Sequence, residues 1–163
     1  MHYIKNKLFI DRISVDKIVS RFGTPTYCYS YKQLKDNVLK FQNSFNKIKP
    51  LICFAVKANN NTKLLNEIGK LGLGADVVSK GELMAALKSK INPKKIVFSG
   101  VGKTYDEIRY AAKNKILLIN AESKSEIDTI LKVAKSIGKR ISIGIRLNPN
   151  VDARTIKEIT TGK

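Results

Sequence analysis

The chain has 163 residues, and its apolar and charged fractions of 43% and 27% are typical of a globular domain with a real hydrophobic core. The formal net charge of +18 is the one extreme value, and a balance this basic can indicate nucleic-acid binding. The 25 lysines and 6 arginines are spread over every segment, without the arginine–aromatic interleaving of single-strand binders, so we expect a solvated basic surface and no nucleic-acid partner.

Cysteine and histidine content excludes several kinds of chemistry. Cys28 and Cys53 lie in apolar runs and lack Cys-x-x-Cys spacing, which favours reduced, buried thiols and a cytoplasmic protein. His2 is the only histidine, so the sequence supports neither a Ser-His-Asp triad nor a metal site. The polar start is not a signal peptide and no run approaches a membrane span, so we expect no membrane partner.

The amino-terminal quarter alternates short elements. Residues up to Ile13 indicate a short strand or arm, and Ser14 is expected to cap a helix that ends at Gly23. The range 26–31 is predicted as a strand, and an amphipathic helix is predicted from there to Pro50. We divide the chain into an arm and helix at 1–25 and a main domain at 26–163.

One lysine follows the most apolar strand of the chain. Residues 51–56 are apolar, with β-branched and aromatic members, and predict a buried strand that delivers Lys57 to the end of a sheet. An amine held against such a strand loses solvation in its charged form, which makes it a usable nucleophile for an aldehyde. The alternative is a lysine that merely ends a strand in solvent.

From Leu51 onward a strand, a loop and an amphipathic helix recur. Apolar strands begin at 51, 75, 96, 116 and 141, and the spacing of 20 to 25 residues predicts helices crossing over a parallel sheet. Three of the helices begin with capping boxes, namely Ser79 with Glu82, Thr104 with Glu107, and Ser123 with Glu126. The fold class is therefore α/β, as a barrel or an open sheet.

Polar residues stand where the strands end, at the edge where barrels and open α/β sheets place their chemistry. They are Lys57, Asp76, Ser99, Asn120 and Arg146.

Two glycine-containing stretches mimic nucleotide-binding motifs. Gly69, Gly72 and Gly74 follow a predicted helix and precede a strand, the reverse of the order in a dinucleotide site, so we interpret them as a helix C-cap and turn. The stretch 99–104 resembles the end of a P-loop, but Val97 stands where its first glycine would be. We expect its glycines to shape a tight loop before the next helix.

Several sequence blocks recur in a known order. They are, along the chain, Phe-Gly-Thr-Pro-Thr-Tyr at 22–27, Phe-Ala-Val-Lys-Ala-Asn at 54–59, Gly-Ala-Asp-Val-Val-Ser at 74–79 with Gly-Glu-Leu at 81–83, Ile-Val-Phe-Ser-Gly-Val-Gly-Lys-Thr at 96–104, Asn-Ala-Glu-Ser at 120–123 and Arg-Leu-Asn-Pro-Asn-Val-Asp-Ala at 146–153. In order and spacing, these blocks resemble the barrel domain of the diaminopimelate decarboxylases, within the group of pyridoxal-phosphate enzymes that includes ornithine and arginine decarboxylases and alanine racemase.

The resemblance implies roles for three residues. Lys57 would be the catalytic lysine that binds pyridoxal phosphate through its amine, and Asp76 and Arg146 would lie at the edge of the cofactor and orient it. The alternatives are an aspartate that caps a loop and an arginine at a strand end that pairs with a surface acid. Glu82 matches a family position as well, but its capping role explains it fully.

The implied reaction is decarboxylation of meso-diaminopimelate to L-lysine in lysine biosynthesis, by a carboxy-lyase whose family is homodimeric. Two alternatives stay open. One is another enzyme of the group, a racemase or a decarboxylase acting on ornithine, arginine or carboxynorspermidine, and the other is a non-catalytic basic module that carries the cofactor or binds nucleic acid.

The resemblance also implies parts that the 163 residues lack. The expected fold is a partial (β/α)8 barrel with about five of eight parallel strands, and the closing strands, the stacking histidine, the glycine-rich phosphate loop and a second β domain would follow later. Ile156 stands where close family members carry histidine, which affects contacts near the substrate. We therefore expect an amino-terminal fragment that is inactive alone.

This expectation has a direct spectroscopic test. The purified chain mixed with pyridoxal phosphate should show no absorbance band of a lysine–cofactor adduct, because half of the binding site would be missing. A stable band that disappears on substitution Lys57→Ala would contradict it.

Overall fold

The computed structural model describes residues 1–45 and 47–151, and the chain divides into two units, Met1–Pro50 and Leu51–Lys163. The boundary predicted after residue 25 stays a prediction. Among the helices of the described part, none combines the length and apolar character needed to cross a membrane.

The first unit begins with a small antiparallel sheet of strands in the order β1 (His2–Ile4), β2 (Lys7–Ile10) and β3 (Ile13–Ser14). Two helices follow, α1 (Val15–Phe22) and α2 (Tyr31–Asn43). The sequence predicted only a strand or arm here, whereas the structure has a three-stranded sheet.

Helix α1 begins and ends where the sequence predicts. The Ser14 hydroxyl accepts a hydrogen bond from the Lys17 amide, and Gly23 ends the helix with a positive φ of 75°. The strand predicted at 26–31 is wrong. Residues 26–30 form neither strand nor helix, and Tyr31 belongs to α2, which Ser30 caps by accepting from the Gln33 amide.

The second unit is built on five parallel strands that are neighbours in chain order. They are β4 (Cys53–Ala55), β5 (Gly74–Val77), β6 (Ile96–Phe98), β7 (Leu118–Ala121) and β8 (Ile143–Ile145). The α/β prediction is confirmed, although several strands are shorter than predicted. A doubly wound sheet reverses its strand order at a switch point, whereas a barrel adds each strand beside the previous one, so this order is that of part of a barrel.

Four helices connect these strands: α3 (Thr62–Lys70), α4 (Lys80–Lys88), α5 (Tyr105–Lys113) and α6 (Lys124–Ile137). They cover one face of the sheet, where the apolar side chains form the core. In β5, for example, Ala75 and Val77 are fully buried and Asp76 between them is only half-buried. This alternation follows from the two-residue period of a strand, and it assigns the polar side chains to the face away from the helices.

Only one of the three predicted capping boxes is complete. Thr104 and Glu107 exchange both hydrogen bonds at the start of α5. At α4 and α6 the capping serine accepts from the backbone amide of the glutamate three residues later. The glutamate side chain, however, does not bond the amide of that serine but the amide of the residue before it. Glu82 accepts from the Val78 amide, and Glu126 accepts from the Glu122 amide.

The predicted glycine cap and turn at 69–74 is correct in part. Gly72 occupies the turn after α3 with φ of 84°, and Gly69 lies inside the helix against Ile91. Gly74 opens β5 where a neighbouring chain segment comes very close, since a Cβ built there would lie 2.0 Å from the Lys95 carbonyl oxygen.

This close approach predicts that Gly74→Ala destabilises the fold. We expect the free energy of unfolding to fall by at least about 2 kcal/mol, because the Lys95 backbone would have to move. Gly81→Ala in α4 is the control, since its Cβ would meet only the Ser79 hydroxyl at 3.8 Å. Urea unfolding followed by circular dichroism measures both, and equal midpoints for Gly74→Ala and the parent would contradict the packing described.

Candidate active site

Lys57 lies on a tight turn directly after β4. The strand ends at Ala55, and residues Val56–Ala58 form one turn of 3₁₀ helix, closed by a hydrogen bond from the Asn59 amide to the Val56 carbonyl. Val56 is fully buried, whereas Lys57 is exposed. The burial that the sequence argument assumed for this amine is therefore wrong, because the turn rotates Lys57 out of the strand.

The Lys57 amine is also free to react. In the described ranges 1–45 and 47–151, its side chain forms no hydrogen bond or ion pair. An amine that has no partner can bind an aldehyde without first breaking an ion pair.

Asp76, Ser99 and Asn120 form a hydrogen-bonded row across three strands. The Ser99 hydroxyl donates to Asp76 Oδ1 at 2.6 Å, and Asn120 Nδ2 donates to Ser99 Oγ at 3.0 Å. Gly144 on β8 leaves room for this row, since a Cβ there would lie 2.4 Å from Asn120 Oδ1. The row thus fixes the orientation of the Asp76 carboxylate.

The charge of Asp76 affects the pKa of the Cys53 thiol. Burial is the main cause that raises the pKa of Cys53, and the negative charge of Asp76 raises it further. Ala55, two residues after this cysteine, pairs with Asp76 in the sheet register. The carboxylate therefore lies on the open face of the sheet, between β4 and β6.

Arg146 follows β8 directly and is held by a carboxylate that the sequence analysis did not single out. Its amide donates to the Ala121 carbonyl at 3.0 Å, and its Nη1 donates to Glu122 Oε2 at 3.3 Å. The arginine side chain is 55% exposed and Glu122 only 10%, so the partner is not the surface acid of the alternative interpretation.

Glu122 also binds the loop after β6, because its Oε1 accepts from the Gly100 amide at 2.6 Å. Gly100 and Gly102 both have positive φ, of 94° and 74°, as expected for a tight glycine loop before the Thr104 cap. The lysine of this P-loop-like stretch, Lys103, is buried and bonded to protein atoms, so it does not present a phosphate-binding ammonium.

Within residues 1–45 and 47–151, the structure groups the candidate residues into two bonded sets and one amine without a bonding partner, all at the carboxyl ends of the strands. Asp76 belongs to the row with Ser99 and Asn120, Arg146 belongs to a set with Glu122, and Lys57 forms no hydrogen bond or ion pair with either. Glu82 bonds the Val78 amide and acts within the loop, close to its predicted capping role.

Sequence reasoning missed Glu122 and Lys103. The signal for Glu122 was its position directly after β7, inside a block that matched the family. Ile156 lies outside the described residues. Within the described residues, no group of three or more His, Cys, Asp or Glu side chains could hold a metal ion.

Comparison with known proteins identifies the class. Residues 31–163 match the model of the pyridoxal-dependent decarboxylases, specifically their pyridoxal-binding domain. The chain therefore belongs to this family of pyridoxal-binding decarboxylase domains.

Within that family, the chain is similar to diaminopimelate decarboxylases. It is 43% identical to the enzyme of Aquifex aeolicus over 162 residues, which is 99% of this chain and 38% of that protein. It is 44% identical to the enzyme of Zymomonas mobilis over 159 residues, 96% of this chain and 38% of that protein. The chain thus spans about two fifths of the length of these relatives.

A solved structure agrees with this assignment. The diaminopimelate decarboxylase of Helicobacter pylori, complexed with L-lysine, superposes with a TM-score of 0.87 at 44% identity, covering 90% of this chain and 37% of that one. The resemblance inferred from the motif blocks and the predicted pyridoxal cofactor class are both confirmed.

The position of Asp76 predicts the reactivity of Cys53. In a Cys28→Ser background, Asp76→Asn removes one cause that raises the Cys53 pKa, so more thiolate is present at pH 8 and alkylation by iodoacetamide should be roughly two- to threefold faster. Asp106→Asn on the exposed side of α5 is the control. Equal rates in all three proteins would place the Asp76 charge away from the thiol.

Proposed function

We propose that this chain supplies the cofactor-binding barrel segment of a carboxy-lyase that converts meso-diaminopimelate to L-lysine. The observation that carries the proposal is the exposed amine of Lys57, which has no bonding partner among the described residues and lies at the same edge of the sheet as Asp76 and Arg146. The activity of the whole enzyme is part of the proposal, since the chain spans only 38% of the length of the Aquifex aeolicus relative.

The residues present fit part of a pyridoxal phosphate site. The cofactor, when bound, supplies an electron sink for the carbanion left by loss of an α-carboxylate. Lys57 offers a primary amine without a competing partner in the part of the chain that the structure describes, which suits an aldehyde. Its exposure gives a ligand direct access from solvent.

Asp76 and Arg146 would orient the cofactor and the substrate. Asp76 presents a carboxylate whose direction is set by the Ser99 hydroxyl, so it can accept a hydrogen bond from a bound group in one defined geometry. Arg146 presents a permanently charged guanidinium fixed by Glu122, and a guanidinium suits phosphate and carboxylate oxygens.

The proposed substrate follows from the relatives. Those with 43% and 44% identity over nearly the whole chain are diaminopimelate decarboxylases, and the Helicobacter pylori structure holds L-lysine, the product of the proposed reaction. These identities favour meso-diaminopimelate over ornithine or arginine. A homodimeric assembly and a cytoplasmic location complete the proposal.

A chimera tests the proposal. Residues 1–163 are joined to the part of the Aquifex aeolicus diaminopimelate decarboxylase beyond its matched region, and CO₂ release from meso-diaminopimelate is measured. We expect activity that Lys57→Ala lowers by more than about 10³-fold, as expected when a covalent group is removed. Lys63→Ala, an exposed lysine at the start of α3, is the control and should keep the activity.

The site of cofactor attachment is read separately. Borohydride reduction of the chimera with pyridoxal phosphate, followed by peptide mapping, should label Lys57. Label on another lysine, or full activity of Lys57→Ala, contradicts the assignment, and decarboxylation of ornithine or arginine instead overturns the substrate. Steeply salt-dependent binding of the chain to generic duplex DNA would favour the binding-module alternative.

A further inference from the structure

Lys103 is a buried cation to which the proposed function assigns no role. Its side chain is 1% exposed, and the residue lies at the end of the loop between β6 and α5, directly before the Thr104 cap. Its ammonium donates to the carbonyl oxygens of Gly100 at 2.5 Å and Asn120 at 2.8 Å, and to Glu126 Oε1 at 2.6 Å. An ammonium has three donors, so every one of them is used.

A charge buried this deeply is retained only when it is paired and fully bonded. Glu126, with a side chain only 7% exposed, supplies the countercharge, and the Phe98 ring lies 5.8 Å from the ammonium. The arrangement has one defined geometry, because moving the ammonium would leave a buried carboxylate without its cation.

The second oxygen of Glu126 connects the buried ion pair to Glu122, at the edge of the sheet where the strands end. Glu126 Oε2 accepts from the Glu122 amide at 2.8 Å, which fixes the backbone of Glu122. The Glu122 carboxylate then bonds the Gly100 amide at 2.6 Å and Arg146 Nη1 at 3.3 Å. A continuous set of bonds thus runs from Lys103 through Glu126 and Glu122 to Arg146.

This set joins the loops after β6, β7 and β8. Lys103 and Gly100 lie after β6, Glu122 and Glu126 after β7, and Arg146 after β8. Arg146 is the only one of the four charged side chains that is more than half exposed. The buried pair therefore lies at one end of the set, and a solvent-accessible guanidinium lies at the other.

We propose that Lys103 is a positioning residue for Arg146: through Glu126 and Glu122 it fixes where the guanidinium stands at the edge of the sheet. The role of that guanidinium toward the cofactor rests on the proposed function. The bonded set itself does not, so the two can fail separately.

The test uses the full chain without cofactor. The substitution Lys103→Met removes the cation and keeps the length of the side chain. The exchange of the Arg146 guanidinium protons with water is measured by ¹⁵N-edited NMR, with Arg146→Lys identifying the signal. We expect exchange to quicken by about two- to fivefold, the range for loss of a half-exposed ion pair.

The matched control is Lys124→Met, which removes an exposed lysine from the first position of α6. It should leave the Arg146 signal unchanged, as should any purely global loss of stability that keeps the chain folded. Glu122→Gln should reproduce the change, because it removes the negative charge that pairs with Arg146.

A second variant covers the case in which Lys103→Met does not fold. Lys103 and the Glu122 amide donate to different oxygens of Glu126. Glu126→Gln replaces one of these oxygens with an NH₂ group, which donates, so one of the two bonds is lost. Glu126→Gln is therefore expected to change Arg146 exchange in the same direction, while the Lys103 ammonium keeps its two carbonyl acceptors. Folded Lys103→Met or Glu126→Gln protein with wild-type Arg146 exchange overturns the proposal.

The outcomes separate this inference from the proposed function. A chimera that is inactive on meso-diaminopimelate, together with Arg146 exchange that responds to Lys103→Met, refutes the function and supports the positioning role. An active chimera whose Arg146 exchange does not respond to Lys103→Met supports the proposed function and refutes the positioning role.

Discussion

The hydrogen bonds between parallel neighbouring strands position Asp76, Asn120, Ser99 and Arg146, and they end just before the turn that carries Lys57. They continue one residue past the strands, since the Ser99 amide bonds the Val77 carbonyl at 2.8 Å and the Arg146 amide bonds the Ala121 carbonyl at 3.0 Å. The first residues of the loops are therefore held as firmly as the sheet itself. Because all five strands run in one direction, these fixed positions collect at a single edge.

Much of this arrangement follows from local sequence signals. The spacing of apolar runs gave the five strands and four helices, and Ser14, Ser79, Thr104 and Ser123 each cap the predicted helix by accepting an amide bond. These signals are reliable because a cap and the helix it starts lie within four residues of each other.

The errors arise where two local signals compete or where the partner is distant. The β-branched and aromatic residues at 26–31 favour a strand, but Ser30 is the N-cap of α2 and Tyr31 is the first residue of that helix. We expected the Lys57 amine to be held against the strand, because no residue in 51–56 indicates that the strand ends at Ala55. The bond between Glu122 and Arg146 spans 24 residues, and no pattern of residue types encodes such a pairing.

Two lysines show how strongly placement outweighs residue type. Lys57 and Lys103 both follow a strand of the same sheet, and 25 lysines in the chain make neither of them conspicuous. Lys57 lies exposed on a 3₁₀ turn and its amine has no bonding partner within the described ranges, whereas Lys103 is buried with three protein acceptors. The first has the availability that covalent chemistry requires, and the second has the rigidity that positioning requires.

The row formed by Asn120, Ser99 and Asp76 has a built-in direction. The Asn120 amide donates to the Ser99 hydroxyl, and this hydroxyl donates to the Asp76 carboxylate. The dipoles of both hydrogen bonds therefore point toward the same anion. A hydroxyl that already accepts from an amide becomes a better donor, so each bond polarises the next. The negative end of this row lies on β5, and the direction cannot reverse while the Asp76 carboxylate is ionised, because an ionised carboxylate only accepts.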